Sequence, residues 1–330
     1  MNYEQYEDNI RLTKSNDKGN KYSPFRDLIY YYSRDGLKLA MLITKPAKPS
    51  YIVASTHGWH MSIPAFTPLE EPVTDYLLIQ VDMRGRAFSE GSPDCNGLEL
   101  LDIIDAIEYV KQEYSTYIAL PERVYFEGGS GGGGNAFAIA GKLPDYFLHI
   151  TALSGISDYS LWYKNDSVGE FRDEMDLWIG EANNFTAYES RSGIKLVQNL
   201  CTPISIVHGE KDKRVPCYHS DAYVEAAIAK GKRDLISYLR LEGVGGHSHY
   251  ENITAEQTTE MHNFIQRTRL IHTIPVIIPT VGEMIVSGYL ITKRFSIFLD
   301  NINGISLLQY DSINHVYSVH GNCDYKFTWN

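Results

Sequence analysis

The chain of 330 residues is 43% hydrophobic and 22% charged, with 26 glycines and 13 prolines, enough to bury one large core with or without a small appendage. Its 41 acids against 30 bases give a formal charge of −11. With no basic block in sight, nucleic acid is excluded as the expected partner, whereas small neutral or cationic substrates suit the balance.

The N-terminus, "MNYEQYEDNIRL", lacks an apolar signal core, and no stretch approaches the length of a membrane span. The expectation is no membrane contact and a cytoplasmic location, or release without a signal peptide, for example within a virion. Cys95, Cys201, Cys217 and Cys323 are scattered, without the spacing of a metal knuckle or redox pair. No metal and no organic cofactor are expected.

Residues 1–23 are polar and read as an N-terminal arm. "DLIYYYS" and "LKLAMLITK" form a hairpin about Asp35-Gly36, a good turn pair. "YIVAST" (51–56) and "YLLIQVD" (76–82) are nearly continuous apolar runs, as in strands buried on both faces of a parallel sheet. Residues 98–113 have helical periodicity, "RVYFEG" (123–128) returns to strand, and residues 132–142 are helical again. Further strands are expected in "YFLHITALSG", "ISIVHG" (204–209) and "LISYLRL" (235–241). A last helix follows, opened by a Thr254/Gln257 capping box. This alternation predicts a three-layer α/β/α domain with a mostly parallel sheet over residues 24–269. Residues 156–200 interrupt the rhythm as an aromatic and acidic insertion after a strand end, where α/β proteins build binding sites. Residues 270–330 turn wholly to β character and predict a small β appendage.

Within "YFEGGSGGGGNAF" (125–137), the run from Gly128 to Gly132 satisfies G-x-S-x-G between a strand and a helix. The abrupt turn forces Ser130 into a strained conformation, and small neighbours relieve the crowding. It also leaves the Gly131 amide near the helix start, facing any oxyanion beside Ser130. No Lys-Ser/Thr pair closes the glycine run, so a phosphate loop fails. A dinucleotide turn remains the bland alternative.

A serine needs a base, and the base needs a third group to hold it. Asp212 follows strand 204–209 and His247 follows strand 235–241, giving the order Ser-Asp-His. Glu210 and His249 lie near enough to replace them. The glycines at 245 and 246 favour His247 by permitting close approach. His208 is expected to fasten the acid loop. "STHGWH" (55–60) offers the Trp59 amide as second oxyanion donor, with His57 structural. Asp82 and Arg84 are expected to form an anchoring ion pair. Asp166 to Glu181 holds six acids and one base, Arg172: a solvated face, or a rim attracting a substrate amine.

Together, "HGW" (57–59), "DMRGRAFSEG" (82–91), "GGSGGG" (128–133), "HGEKDKRVP" (208–216) and "GGH" (245–247) resemble the α/β-hydrolase superfamily, especially its prolyl-oligopeptidase-like and acetyl-xylan-esterase-like branches. The resemblance implies Ser130 as nucleophile, Asp212 as orienting acid, His247 as base, and the Trp59 and Gly131 amides as oxyanion hole. Trp59 stands where those relatives often carry Tyr, and Ala87 where they often carry Gly. The large oligopeptidases of that resemblance carry a β-propeller gate, for which the 50 residues before strand 51–56 are too few. The expectation is therefore a carboxylic-ester hydrolase acting through an acyl-enzyme on short acyl, acetyl-like esters. A serine peptidase cleaving short peptides is the nearest alternative, and an inactive scaffold for binding or assembly the third. Partners are expected to be small-molecule, glycan-linked or short-peptide substrates. Residues 270–330, with their tyrosines and Trp329, offer a surface for homo-oligomers or another assembly partner.

Overall fold

The computed structural model describes residues 18–166, 169 and 171–330. Most of the expected arm (1–17), and Ser167, Val168 and Glu170 of the insertion, lie outside the described residues. Strands β1 (Lys21–Tyr22), β2 (Arg26–Tyr32) and β3 (Lys38–Thr44) run antiparallel and lead into β4 (Ile52–Thr56) and β5 (Leu77–Val81). Helix α1 (Glu99–Glu113), β6 (Val124–Gly129), α2 (Gly131–Lys142) and β7 (His149–Leu153) follow. The insertion carries three short helices, α3 (Tyr159–Asn165), α4 (Arg172–Trp178) and α5 (Phe185–Arg191). Then come β8 (Ile204–Gly209), α6 (Tyr218–Ala229), β9 (Ile236–Leu241) and α7 (Ala255–Leu270).

The nine strands lie in the order β1-β2-β3-β5-β4-β6-β7-β8-β9. From β5 through β9 every pairing is parallel, so the C-terminal ends of β4, β6, β8 and β9 share one edge. The apolar runs behave as buried strands should: Ile52, Val53, Ala54 and every residue of β8 are buried. Helix α1 turns Leu100, Ile103, Ile107 and Val110 onto the sheet at helical spacing. Helix α2 is buried along its whole length, so its small residues let it pack close on both sides. The Thr254–Gln257 capping box of α7 forms in both directions.

The second sheet takes β10 (Val281–Ser287), β11 (Tyr289–Ile291), β12 (Phe295–Leu299), β13 (Ile305–Asp311), β14 (Val316–His320) and β15 (Tyr325–Trp329). Its order is β14-β13-β10-β11-β12-β15, and every pairing is antiparallel. Tyr317 of β14 stacks on Phe327 of β15 at 3.8 Å between ring centroids. Strands at opposite ends of the order thus meet through their side chains, which requires the sheet to curl strongly. The sheet is joined to the first domain by hydrogen bonds. Asn199 donates to the Ile285 carbonyl (2.7 Å) and accepts from its amide (2.8 Å), while the Tyr289 hydroxyl donates to the Gly97 carbonyl (2.8 Å).

Candidate active site

Ser130 sits between β6 and α2 with φ 57° and ψ −117°, a region that costs a non-glycine residue of order 1–3 kcal/mol. Its amide donates to the Leu153 carbonyl (2.8 Å) and its carbonyl accepts from Gly134 N (3.0 Å), so the turn is held from both sides. Such a turn raises a serine hydroxyl above the sheet edge. Immediately after it, a Cβ on Gly131 would lie 2.5 Å from Trp59 N. Only a glycine lets these two backbones approach, and the approach brings the backbone of Trp59 against Gly131, the residue after Ser130.

The loop after β4 is fixed by His57. Its Nδ1 donates to the Gly58 carbonyl (2.9 Å) and its Nε2 accepts from Met83 N (3.1 Å). Both contacts suit a neutral ring, and burial pushes its pKa down to about 3. The structural part expected for His57 thus has a defined tautomer.

Asp212 lies on the loop after β8. Its Oδ1 accepts from the amides of Arg214 (2.9 Å) and Val215 (3.1 Å). Its Oδ2 meets Nδ1 of His249 at 2.6 Å. Burial pushes this carboxyl up, but hydrogen bonds from His208 and His249 outweigh burial and hold it well below the usual carboxylate range. His208 also bonds the Val215 carbonyl (2.7 Å) and the Ser220 hydroxyl (2.6 Å), fastening the acid loop as expected.

The imidazole on Asp212 is therefore that of His249, where the sequence favoured His247. His247 is exposed, and its amide donates to Glu251 Oε2 (2.7 Å). The cause is in the glycines. Gly245, at φ +109°, packs so close that a Cβ there would lie 2.3 Å from Asp212 N. The chain spends its approach on that backbone contact, swings outward at 247 and returns at 249. A carboxylate on Nδ1 makes Nδ1 the donor and leaves Nε2 as the basic nitrogen of neutral His249.

A second expectation is corrected: Arg84 does not pair with Asp82. Its guanidinium grips Asp102 with two bonds (2.6 and 2.7 Å) and reaches Asp35 at 3.1 Å. Asp82 instead accepts from the Ser62 hydroxyl (2.5 Å) and the amides of Ile63 (3.0 Å) and Phe88 (2.9 Å). It holds the loop by capping amides, so the anchor is real but the partners differ.

Trp59 is buried among Tyr159, Trp162 and Trp178, with ring centroids 5.7, 5.0 and 4.8 Å away. The insertion thus closes over the strand ends from one side. Behind Trp59 a cavity of about 20 Å³ is lined by Arg86, Glu99, Asn135 and Trp178 among others, room for about one water. A larger open groove, about 600 Å³, runs along α7 from Ala255 to Arg267 and includes none of these residues. The acids of the insertion are mostly engaged: Asp166 caps Gly169, Phe171 and Arg172 amides, and Asp176 accepts from the Tyr163 hydroxyl. Glu174 points inward to Trp59 and His60, which nothing in the acidic composition singled out. Among the described residues no cluster of three or more His, Cys, Asp or Glu is placed to hold a metal, and no helix is long and apolar enough to cross a membrane.

The profile of the prolyl oligopeptidase family matches residues 74–269. Among curated proteins, a stretch of 242 residues is 25% identical to dipeptidyl peptidase family member 6 of Caenorhabditis elegans, covering 67% of this chain but 32% of that protein. Another of 196 residues is 24% identical to the uncharacterized peptidase YtmA of Bacillus subtilis, covering 57% of this chain and 74% of that one. The fold is similar to the acylaminoacyl peptidase of Pyrococcus horikoshii at a TM-score of 0.59 and 18% identity, over 75% of this chain and 41% of that one. The chain thus spans about a third of the length of the worm relative.

Proposed function

The chain belongs to the prolyl oligopeptidase family, and from that premise we propose that it is a serine peptidase cleaving short peptides through an acyl-enzyme on Ser130. The observation that carries the reading is the 2.6 Å bond between Asp212 and His249, on the same sheet edge as the strained Ser130. In this mechanism the basic Nε2 of His249 takes the Ser130 proton as the hydroxyl oxygen attacks the substrate carbonyl. Asp212 holds the ring and balances the imidazolium that forms. The Gly131 and Trp59 amides stabilise the tetrahedral oxyanion. The imidazolium gives its proton to the leaving amine, and a water then releases the acid by the same steps.

The preference for amides over the acetyl esters expected from the sequence is supported by the family and by relatives that are themselves called peptidases. The same machinery cleaves esters, so the substrate decides between them. A fluorophosphonate probe should label the wild-type chain and leave Ser130→Ala unlabelled. A panel of aminoacyl anilides, acylaminoacyl anilides and acetyl esters should then show amide turnover. Strong ester turnover with negligible anilide turnover would restore the esterase reading, and an unlabelled wild-type chain would leave only the inactive scaffold.

A further inference from the structure

An oxyanion hole works only if its donors are already aimed when charge develops, because reorientation during the reaction would return much of the gain. Gly131 is fixed by opening a buried helix, but Trp59 stands on a loop. The Gly58–Trp59 peptide is held at one end: the Gly58 carbonyl accepts from His57 Nδ1 (2.9 Å) and Met61 N (3.2 Å). In a trans peptide the N–H points opposite to that carbonyl, so these bonds set the amide's direction. Trp59 itself must then be kept from rotating about its own φ and ψ.

Two charged side chains from separate elements do this. Arg86, buried on the loop after β5, donates from Nη2 to the Trp59 carbonyl at 2.6 Å. Its guanidinium lies 4.2 Å from the Trp178 ring centroid, which locks the fork in place. Glu174, from α4, takes the Trp59 indole N–H on Oε2 at 2.6 Å, and His60 Nδ1 meets the same oxygen at 2.9 Å. The residue is thus gripped through its backbone oxygen and through the far end of its side chain.

We propose that Arg86 and Glu174 are positioning residues, clamping Trp59 so that its amide stays aimed at the oxyanion beside Ser130. The proposal rests on the hydrolase reading and adds to it that the insertion takes part in the reaction's geometry. Neither side chain touches substrate in this scheme; both act through Trp59.

The test compares wild type with Arg86→Met, Arg86→Lys, Glu174→Gln and Glu174→Leu, each checked for folding by its melting transition. The substrate is whichever anilide or ester of the panel wild type turns over fastest, and the inhibitor is a peptidyl trifluoromethyl ketone, which forms a tetrahedral adduct on the serine. Arg86→Met and Glu174→Leu should lower kcat by about 10–100-fold with KM within about 3-fold, less than deleting a donor outright. Ketone affinity should fall in parallel with kcat/KM, while affinity for the acid product stays unchanged. Arg86→Lys, which keeps a donor, and Glu174→Gln, which keeps an acceptor, should recover part of the loss. Should Arg86→Met fail to fold, the two Glu174 variants carry the same comparison. Folded variants with wild-type kcat, or with losses confined to KM and shared by product affinity, would overturn the clamp alone. A wild-type chain that neither turns over substrate nor takes the fluorophosphonate label would overturn the clamp and the hydrolase reading together.

Discussion

At the scale of single residues, the site depends on conformations that ordinary propensity disfavours. Ser130 holds a left-handed φ of 57°, kept there by backbone bonds to Leu153 and Gly134. In the proposed mechanism Ser130→Ala should reduce turnover about 10⁴-fold or more, as loss of a triad member does. His249→Ala should approach the same loss, whereas His247→Ala should stay within about 3-fold of wild type, since its ring bears on no proton transfer. Steady-state kinetics on the panel substrate decide between the two histidines, and the reverse result would return the base role to His247. Gly131→Ala tests the approach of the backbones. Its Cβ would lie 2.5 Å from both Trp59 N and Trp59 Cα, atoms that the clamp prevents from yielding. Turnover should fall about 10²-fold, comparable to losing one oxyanion donor.

At the scale of elements, α1 and α2 meet over a buried polar network. Glu99 Oε1 accepts from Asn96 N (2.7 Å), Asn135 bridges Asn96 Oδ1 (2.7 Å) to Thr56 (2.8 Å), and Lys142 donates to the Asn96 carbonyl (3.0 Å). Burial pushes the Glu99 carboxyl up to about 7. A glutamic acid in the unfolded chain ionises near 4.5, so the folded state holds a proton that the unfolded chain releases between those two values. The folded state is therefore favoured at acid pH and loses that advantage as pH rises from 4.5 to about 7. Glu99→Gln keeps an acceptor for Asn96 and removes the titration. Its melting temperature relative to wild type should rise through that interval and level off above it. A difference flat across pH 4.5 to 7 would show that Glu99 ionises normally. Lys142, pushed down to about 7 by burial, changes stability in the opposite sense and mainly above pH 7, between its folded value and the 10.5 of a free lysine, so the lower interval reports on Glu99.

At the scale of the whole molecule, the β appendage is built into the hydrolase domain. Tyr289 of β11 belongs to the main core, and Lys142 sits 4.9 Å from its ring centroid. Asp145 accepts from the Ile278 (3.2 Å) and Lys293 (3.0 Å) amides. Removing residues 270–330 should thus lower the melting temperature and expose apolar surface, rather than simply detach a binding module. A truncated chain that melts like wild type would contradict this. Asn199→Ala, losing both bonds to Ile285, should cost about 1–3 kcal/mol in chemical denaturation, by the usual worth of buried hydrogen bonds.

Much of this architecture was legible in the residues because local patterns carry it. Apolar runs such as 51–56 and 204–209 suit strands buried on both faces, and a serine among glycines between a strand and a helix suits a nucleophile turn. The order Ser130, Asp212, then a histidine after β9 followed from strand succession alone. Three things were decided by tertiary contact. His249 rather than His247 meets Asp212 because Gly245 uses its freedom against the acid loop's backbone. Arg84 turns to Asp102, a residue 18 positions along the chain, because α1 presents a carboxylate at its own depth. Glu174 reaches Trp59 across 115 positions. Periodicity records which face of an element is buried; which side chain meets which across a loop depends on paths that only the folded chain defines.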